Sequence, residues 1–314
     1  MSRQPRILSI PCKYPNGVVY SYLIDAPQPA LIDTGVAGSP AADIGPTLRA
    51  AGVDIGDVKW ILLTHGHWDH VGGAHAARSL VHRDAEVLLH HDDLDLLRSR
   101  RRHMDPTGYQ AIKFRYIDAP DALAAHDALV MENISGELGV DRELDGGETF
   151  SLGGGITITV VHTPGHSAGS VTFLLEAEGW AFTGDTVQLY GSGPANCPLI
   201  DDPNAYRESL MALRDDVRPT SLFLGHRYAD VGGHVLENRL DGEAAASAID
   251  SSLDMEQKLR AASAHMIDVG TSSKEIAAIR PAAELLGFPA DAPERWPTPL
   301  FLTLDSYLHS RGTA

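Results

Sequence analysis

The stretch Thr64-His65-Gly66-His67-Trp68-Asp69-His70 puts three imidazoles and a carboxylate within one short loop. It follows directly on Trp60-Ile61-Leu62-Leu63, an apolar run with the character of a buried strand. Alternate side chains of an extended segment share a face, so His65 and His67 can close on one metal ion. Asp69 and His70 continue into what reads as a helix start and aim a carboxylate and a third imidazole at a second ion nearby. Imidazole nitrogen and carboxylate oxygen suit zinc, with iron or manganese as alternatives. An isolated His-x-His pair arises often by chance, whereas this fuller pattern behind a buried strand does not.

Further ligand candidates follow in order along the chain. His166 lies in Thr163-Pro164-Gly165-His166-Ser167-Ala168-Gly169, after the alternating run Ile156 to Val161. Asp185 closes Phe182-Thr183-Gly184-Asp185, and His226 closes Leu222-Phe223-Leu224-Gly225-His226. Asp33 stands in Ala30-Leu31-Ile32-Asp33-Thr34-Gly35. Each follows an apolar, strand-like segment and has a glycine close by that lets the backbone turn sharply.

Over roughly residues 7 to 233 these motifs resemble those of the metallo-β-lactamase superfamily, and its glyoxalase-II-like subgroup in particular. The resemblance implies an α/β fold, the αβ/βα sandwich of two mixed sheets between helices. It implies one metal held by His65, His67 and His166, a second by Asp69, His70 and His226, and Asp185 bridging both. Asp33 would orient ligands through hydrogen bonds, as the acceptors behind ligating histidines do. Two zinc ions about 3.5–4 Å apart would hold a bridging hydroxide, the nucleophile, without help from a serine or cysteine. Asp69 and Asp185 lie where they can accept or relay its proton.

Departures from particular subgroups narrow the substrate. True β-lactamases of this fold lack an aspartate at the position of Asp185. The di-iron flavoproteins carry a glutamate where this chain has His67. Lactonases that act on acyl-homoserine lactones place a tyrosine three residues past the bridging aspartate; here that residue is Gln188, and Tyr190 is the nearest tyrosine and the candidate for polarising a carbonyl. Leu189-Tyr190-Gly191-Ser192-Gly193 also departs from the glycine-cysteine-glycine-arginine-like run of glyoxalase II. What remains is a metal-dependent hydrolase of an activated carbonyl, a thioester or lactone of a small organic substrate. The alternatives are a phosphodiesterase or ribonuclease of the same fold, a mononuclear iron sulfur dioxygenase, and a non-catalytic binding protein.

Composition agrees with this. A chain of 314 residues, 43% of them hydrophobic, can bury a substantial core. Its formal charge of −17 argues against a nucleic-acid partner, which usually meets a basic face. Cys12 and Cys197 make no disulfide framework. No leader-like run and no span of apolar residues long enough for a membrane is apparent, so a cytoplasmic protein is expected.

Strands are expected at Val18–Ile24, Ala30–Asp33, Trp60–Leu63 and Glu86–His90, with a hairpin over Thr149–Val161 and a helix over Ala41–Ala51 interrupted or started by Pro46. These belong to a catalytic domain over residues 1–233. An excursion over about residues 92–145 reads as a helical lid, whose arginines Arg98 and Arg100 to Arg102 either meet anionic groups or pair with Asp92, Asp93 and Asp95. Residues 234–314 read as a helical C-terminal extension: Ile249, Leu253, Leu259, Ala262 and Met266 keep a helical period, Ser272-Ser273-Lys274-Glu275 resembles a capping box, and Thr303 to His309 makes a last amphipathic piece. That extension would line the pocket or build a homodimer contact.

Overall fold

Period-two alternation sorts the strand side chains onto two faces, and in the central strands both faces are apolar, so each sheet must be covered twice there. In the computed structural model, which describes residues 4–15, 17–104, 120–192, 197–268, 279–280, 283–284, 286–289 and 296–310, this produces two six-stranded sheets. The first contains β1 (Arg6–Tyr14), β2 (Gly17–Asp25), β3 (Ala30–Ile32), β4 (Trp60–Leu62), β5 (Glu86–His90) and β6 (Arg142–Leu144), in that spatial order. It is antiparallel from β1 to β3 and parallel from β3 to β6. The second contains β7 (Thr149–Gly153), β8 (Ile156–His162), β9 (Val171–Leu175), β10 (Trp180–Gly184), β11 (Ser221–Leu224) and β12 (Arg239–Asp241). It is antiparallel except where β10 meets β11.

The inner faces meet in one core, with Tyr22, Ile24, Ile32, Leu62 and Leu88 opposite Phe150, Ile158, Phe173, Phe182 and Phe223. Burying each of these side chains contributes about 1.5–3 kcal/mol. The outer face of the first sheet, with Leu23, Leu31, Ile61 and Val87, is covered by α1 (Gly45–Ala50), α2 (Trp68–Val71), α3 (Ala74–Arg78) and α4 (Leu94–Arg98). Next in the chain, α5 (Pro120–Glu132) brings Val130 against Val36 and Trp68. The outer face of the second sheet, with Leu174, Ala181 and Leu222, is covered by α6 (Pro203–Ala212), α7 (Glu243–Asp268) and α8 (Thr298–Ser310). The result is the four-layer αβ/βα sandwich expected from the sequence.

Several local expectations change. The sheet begins earlier than Val18, with β1 lying along the full length of β2. The helix expected over Ala41–Ala51 opens as a wider turn at Pro40–Ile44, and α1 starts at Gly45 with Pro46 in its first turn, where a missing N–H costs no hydrogen bond. The excursion after residue 92 closes before 145, because β6 adds a parallel strand to the first sheet. Arg98 pairs with Glu143 and Arg102 with Asp95, both on the surface. Residues 105–119, most of the expected lid, lie outside the described residues. The boundary expected at 233 falls inside the second sheet, since β12 pairs with β11 and the packing of α7 and α8 is continuous with that sheet. Ile249, Leu253, Leu259 and Ala262 are buried along α7 as their spacing requires. The Met266 side chain and Ser272 to Glu275 lie outside the described residues. Among those residues, no helix is long and apolar enough to cross a membrane.

Candidate metal centre

Parallel strands that share a sheet end at a common edge, and here the chemistry-bearing residues collect at that edge. Asp33 follows β3; His65, His67, Asp69 and His70 follow β4; His166 follows β8; Asp185 follows β10; His226 follows β11. Backbone bonds join the two sheets there: Val171 N–H donates to the Thr64 carbonyl at 2.8 Å, and Tyr20 N–H donates to the Gly225 carbonyl at 2.8 Å. The residue before His226 must be glycine, because a Cβ at Gly225 would overlap the Asp185 carboxylate.

Among the described residues four groups of potential ligand atoms form, each with its members within 4.8 Å of one another. One, His90, His91 and Asp92, has two exposed members; the three around Asp185 are His65, His67 and His166; His65, His70 and Asp185; and Asp69, His70 and His226. The Asp185 carboxylate stands between them. One oxygen lies 3.4 Å from His70 Nε2, and the other lies 3.6 Å from His166 Nε2 and 3.5 Å from His226 Nε2. Asp69 approaches His226 Nε2 at 3.3 Å. All seven residues suggested as ligands by the sequence are therefore in one place.

The outward ring nitrogens are already engaged. His65 Nδ1 meets Thr64 Oγ1 at 3.1 Å, His70 Nδ1 meets Asp33 at 2.8 Å, His166 Nδ1 meets the Leu199 carbonyl at 2.9 Å, and His226 Nδ1 meets the Val18 carbonyl at 2.9 Å. A ring that donates from Nδ1 presents a bare lone pair at Nε2. The Nε2 atoms of His65 and His166 face one another at 3.2 Å, which is repulsive unless a cation sits between or beside them. His70 Nε2 and Asp185 Oδ1 are buried without a hydrogen-bond partner. Buried polar atoms are costly in that state, so the donor set fits metal ions.

Electrostatics agree with a ligand role. Burial, then the neighbouring imidazoles, hold His65 and His67 well below the ordinary histidine range, and burial lowers His166, so these rings are neutral and ready to bind. Burial also opposes charge on His70 and His226, but the Asp185 carboxylate, with Asp33 beside His70 and Asp69 beside His226, outweighs it and raises both. Burial works against ionising Asp69 and Asp185, yet the facing histidines keep Asp69 at about 2 and Asp185 well below the usual range.

Asp33, for which the motif suggested an orienting role, lies against Thr64 and His70. It accepts from the Thr64 N–H and hydroxyl at 2.8 Å each and from His70 Nδ1. Its φ of 55° lies in the left-handed region, which aspartate tolerates better than most residues. Tyr190 is a correction. Its hydroxyl accepts from Lys258 Nζ at 2.9 Å and its ring lies under that ammonium, so it turns toward α7 instead of the metal centre. The phenol beside Asp185 belongs to Tyr228, which is buried with its hydroxyl unpartnered. Burial and then the Asp185 charge keep that phenol protonated.

Other contributors escape a reading of the sequence. Gln188, notable there only as the position where lactonases carry a tyrosine, donates to the Leu199 carbonyl at 2.8 Å and accepts from the Leu199 N–H at 2.9 Å. It thus fixes the carbonyl that receives His166. Thr303 and Ser306 of α8 hold Ile200 on the far side. Asp93, expected as a surface partner for arginines, is buried against both histidine loops. The one signal that could have marked it is its place just past β5, at the same sheet edge as the ligands.

A cavity opens onto the metal centre. Its walls include Tyr14, Trp68, Leu199, Tyr228 and, from the start of α8, Thr298 and Pro299. Cys197 also faces it, but burial pushes that thiol far up, so it offers no ready thiolate.

Comparison with known proteins agrees with this geometry. Residues 14–226 match the metallo-beta-lactamase superfamily. The chain is 25% identical over 230 residues to the cytoplasmic hydroxyacylglutathione hydrolase of Arabidopsis thaliana, covering 71% of this chain and 68% of that one. It is 29% identical over 220 residues to an atrochrysone carboxyl ACP thioesterase of Passalora fulva, covering 67% of this chain but only 50% of the relative. A metallo-beta-lactamase family protein of Thermus thermophilus shares the fold over 99% of this chain and 94% of its own, with a TM-score of 0.68 at 20% identity. Edge-clustered candidate ligands, a four-layer sandwich and a family match over most of the chain lead to one assignment: this protein belongs to the metallo-beta-lactamase superfamily.

Proposed function

We propose that the protein is a two-metal hydrolase that cleaves an activated carbonyl, a thioester or lactone, of a small organic substrate. The observation that carries this reading is the convergence of His65, His67 and His166 on one side and Asp69, His70 and His226 on the other, with Asp185 between them and with His70 Nε2 and Asp185 Oδ1 buried without a hydrogen-bond partner. Two divalent ions held there, zinc being the natural choice for this donor set, would supply a water acidic enough to deprotonate near neutral pH and a Lewis acid for the carbonyl.

The protein's own residues would do the rest. Asp69 and Asp185 stay ionised and lie where a proton must leave. Tyr228, in the place first expected of Tyr190, keeps its proton and can donate a hydrogen bond to the substrate's carbonyl oxygen, a contribution that strengthens as charge develops there. Tyr14, Trp68, Leu199 and Pro299 give the cavity an apolar wall suited to an aliphatic or flat acyl group. The relatives named as a hydroxyacylglutathione hydrolase and an ACP thioesterase support the thioester half of this reading. A phosphodiester is less well served, since the cavity's described lining includes no lysine or arginine.

Zinc-loaded protein offered a panel of thioesters, lactones, simple esters and phosphodiesters should release acid from the thioesters or lactones only. Tyr228→Phe should slow the preferred carbonyl substrate about 10²–10³-fold if it stabilises the developing oxyanion. Turnover confined to phosphodiesters would overturn the carbonyl reading.

A further inference from the structure

Asp93 stands at the start of α4, in the segment the sequence marks as an excursion from the catalytic core. Its side chain does not point into solvent. It is buried, and its carboxylate accepts from the Gly66 N–H at 2.7 Å, the Ser167 hydroxyl at 2.7 Å and the Gly169 N–H at 2.9 Å. Gly66 lies between His65 and His67. Ser167 and Gly169 lie just past His166. One carboxylate thus holds both loops that supply the three-histidine group, although more than 70 residues separate it from Ser167 and Gly169.

The loops are also packed down on it. A Cβ at Gly169 would come within 2.6 Å of the Asp93 carboxyl carbon, and one at Gly66 would come within 3.0 Å of its Cβ. Ser167 is fixed in turn, because its hydroxyl lies 2.8 Å from that of Ser170 and its N–H donates to Ser170 Oγ at 3.1 Å. None of these Asp93 bonds goes to the His226 loop, and although Gly66 shares a segment with Asp69 and His70, His70 is anchored separately, its Nδ1 by Asp33 and its carbonyl by the Thr34 N–H and hydroxyl. Hydrogen bonds from neutral donors to a buried carboxylate are among the stronger ones in proteins. Removing the acceptor leaves the Gly66 and Gly169 N–H groups to find other partners, and both loops then lose the point that sets their separation.

We infer that Asp93 is a positioning residue that fixes the distance between the His65–His67 loop and the His166 loop, and so sets metal affinity at the three-histidine group selectively. The inference rests on the two-metal reading above. It also gives the segment after β5 a part in the chemistry, since displacement of α4 would pull on both loops.

The two groups can be measured separately with cobalt(II), in full-length protein carrying His226→Ala to weaken the Asp69–His70–His226 group or His67→Ala to weaken the other. In the His226→Ala background, Asp93→Ala should lower cobalt affinity about 10–100-fold and alter the visible ligand-field bands. In the His67→Ala background it should leave affinity little changed. Asp93→Asn should fall between, because the amide keeps one acceptor oxygen but sets its NH₂ against one of the two backbone donors. Equal weakening at both groups, in step with a lower Tm, would mean a general structural role and overturn the proposal, as would unchanged affinity at the three-histidine group. Should Asp93→Ala fail to fold, Ser167→Ala removes one of the three bonds and should still weaken the three-histidine group alone. Parent protein that takes up no cobalt would overturn the metal reading itself, which is distinct from parent protein that binds normally while Asp93→Ala changes nothing.

Discussion

Two clusters of buried charge in this molecule can be set side by side. Where α6, α7 and α8 meet, Glu256 of α7 is fully buried, and its oxygens accept from Arg207 at 2.7 Å, Arg260 at 2.7 Å and the Tyr307 hydroxyl at 2.9 Å. At the sheet edge, Asp185 is almost as buried and is surrounded by imidazoles, yet one of its oxygens and His70 Nε2 have no partner. The Glu256 cluster is closed, with a cation and a donor supplied by the chain for each need of the carboxylate. The Asp185 cluster is open toward its centre, with the Nδ1 atoms of His65, His70, His166 and His226 satisfied and His70 Nε2 and Asp185 Oδ1 left without a partner. Burial alone therefore does not mark a functional site. The informative feature is an acid–base cluster that the fold has built but not neutralised by itself.

The sharpest way to break this contrast is Asp185→Asn. It should remove most hydrolytic activity and lower the metal content, because it takes a negative charge from between both ligand groups, while the protein stays folded. Two bound metals and near-normal turnover would end the role given to Asp185. Metal analysis and turnover of the preferred substrate check it.

Glu256→Gln should do the reverse. Leaving Arg207 and Arg260 without a buried carboxylate should cost about 3 kcal/mol, the low end for breaking a buried ion pair, since both guanidinium groups reach solvent in part. Urea unfolding should register the loss, with metal content of the folded protein unchanged. Loss of metal without loss of stability would erase the distinction between the two clusters.

Asp33→Asn tests how far the open cluster depends on its outer partners. Without the second carboxylate oxygen, His70 loses its fixed acceptor or Thr64 does, and metal affinity should fall about 10–100-fold. Equilibrium dialysis against zinc measures it.

Proton release gives a smaller signal with a definite sign. His70 and His226 are raised by the carboxylates, so metal-free protein keeps protons on these rings to higher pH than ordinary histidines do, and a metal must displace them. Metal binding should therefore release protons, and affinity should fall as pH falls. Calorimetry in buffers of different ionisation enthalpy reads the number directly; proton uptake, or none, would contradict the assignment. The smallest effect belongs to Tyr190→Phe. Among the described residues that hydroxyl's hydrogen bond is with the exposed Lys258 ammonium, so turnover should be unchanged and stability should shift by less than about 1 kcal/mol.

The two clusters are not equally legible in the sequence. The candidate ligands of the metal centre are polar residues stranded at the ends of apolar strands, and that contradiction of the local pattern is visible one segment at a time. Glu256 lies on a helix face amid ordinary polar residues, and nothing local shows that two arginines and a tyrosine will close on it. The same reasoning covers the errors. Tyr190 is the tyrosine nearest to Asp185 in sequence, but the turn after β10 sends it to Lys258, and Tyr228 arrives from the loop after β11. Asp93 has arginines for neighbours along the chain, whereas its partners in space are far from it in sequence.

The sequence by itself determined the candidate ligand set, the orienting aspartate and the layered α/β architecture, because period-two alternation and residues that can bind metal are local properties. Tertiary structure alone decided which tyrosine stands beside Asp185, which carbonyl anchors His166, and that Asp93 joins two ligand loops. It also decided that β6 and β12 complete the sheets. Each of these depends on contacts between segments distant in the chain, whose geometry is set by sheet pairing and core packing and leaves no local pattern to read.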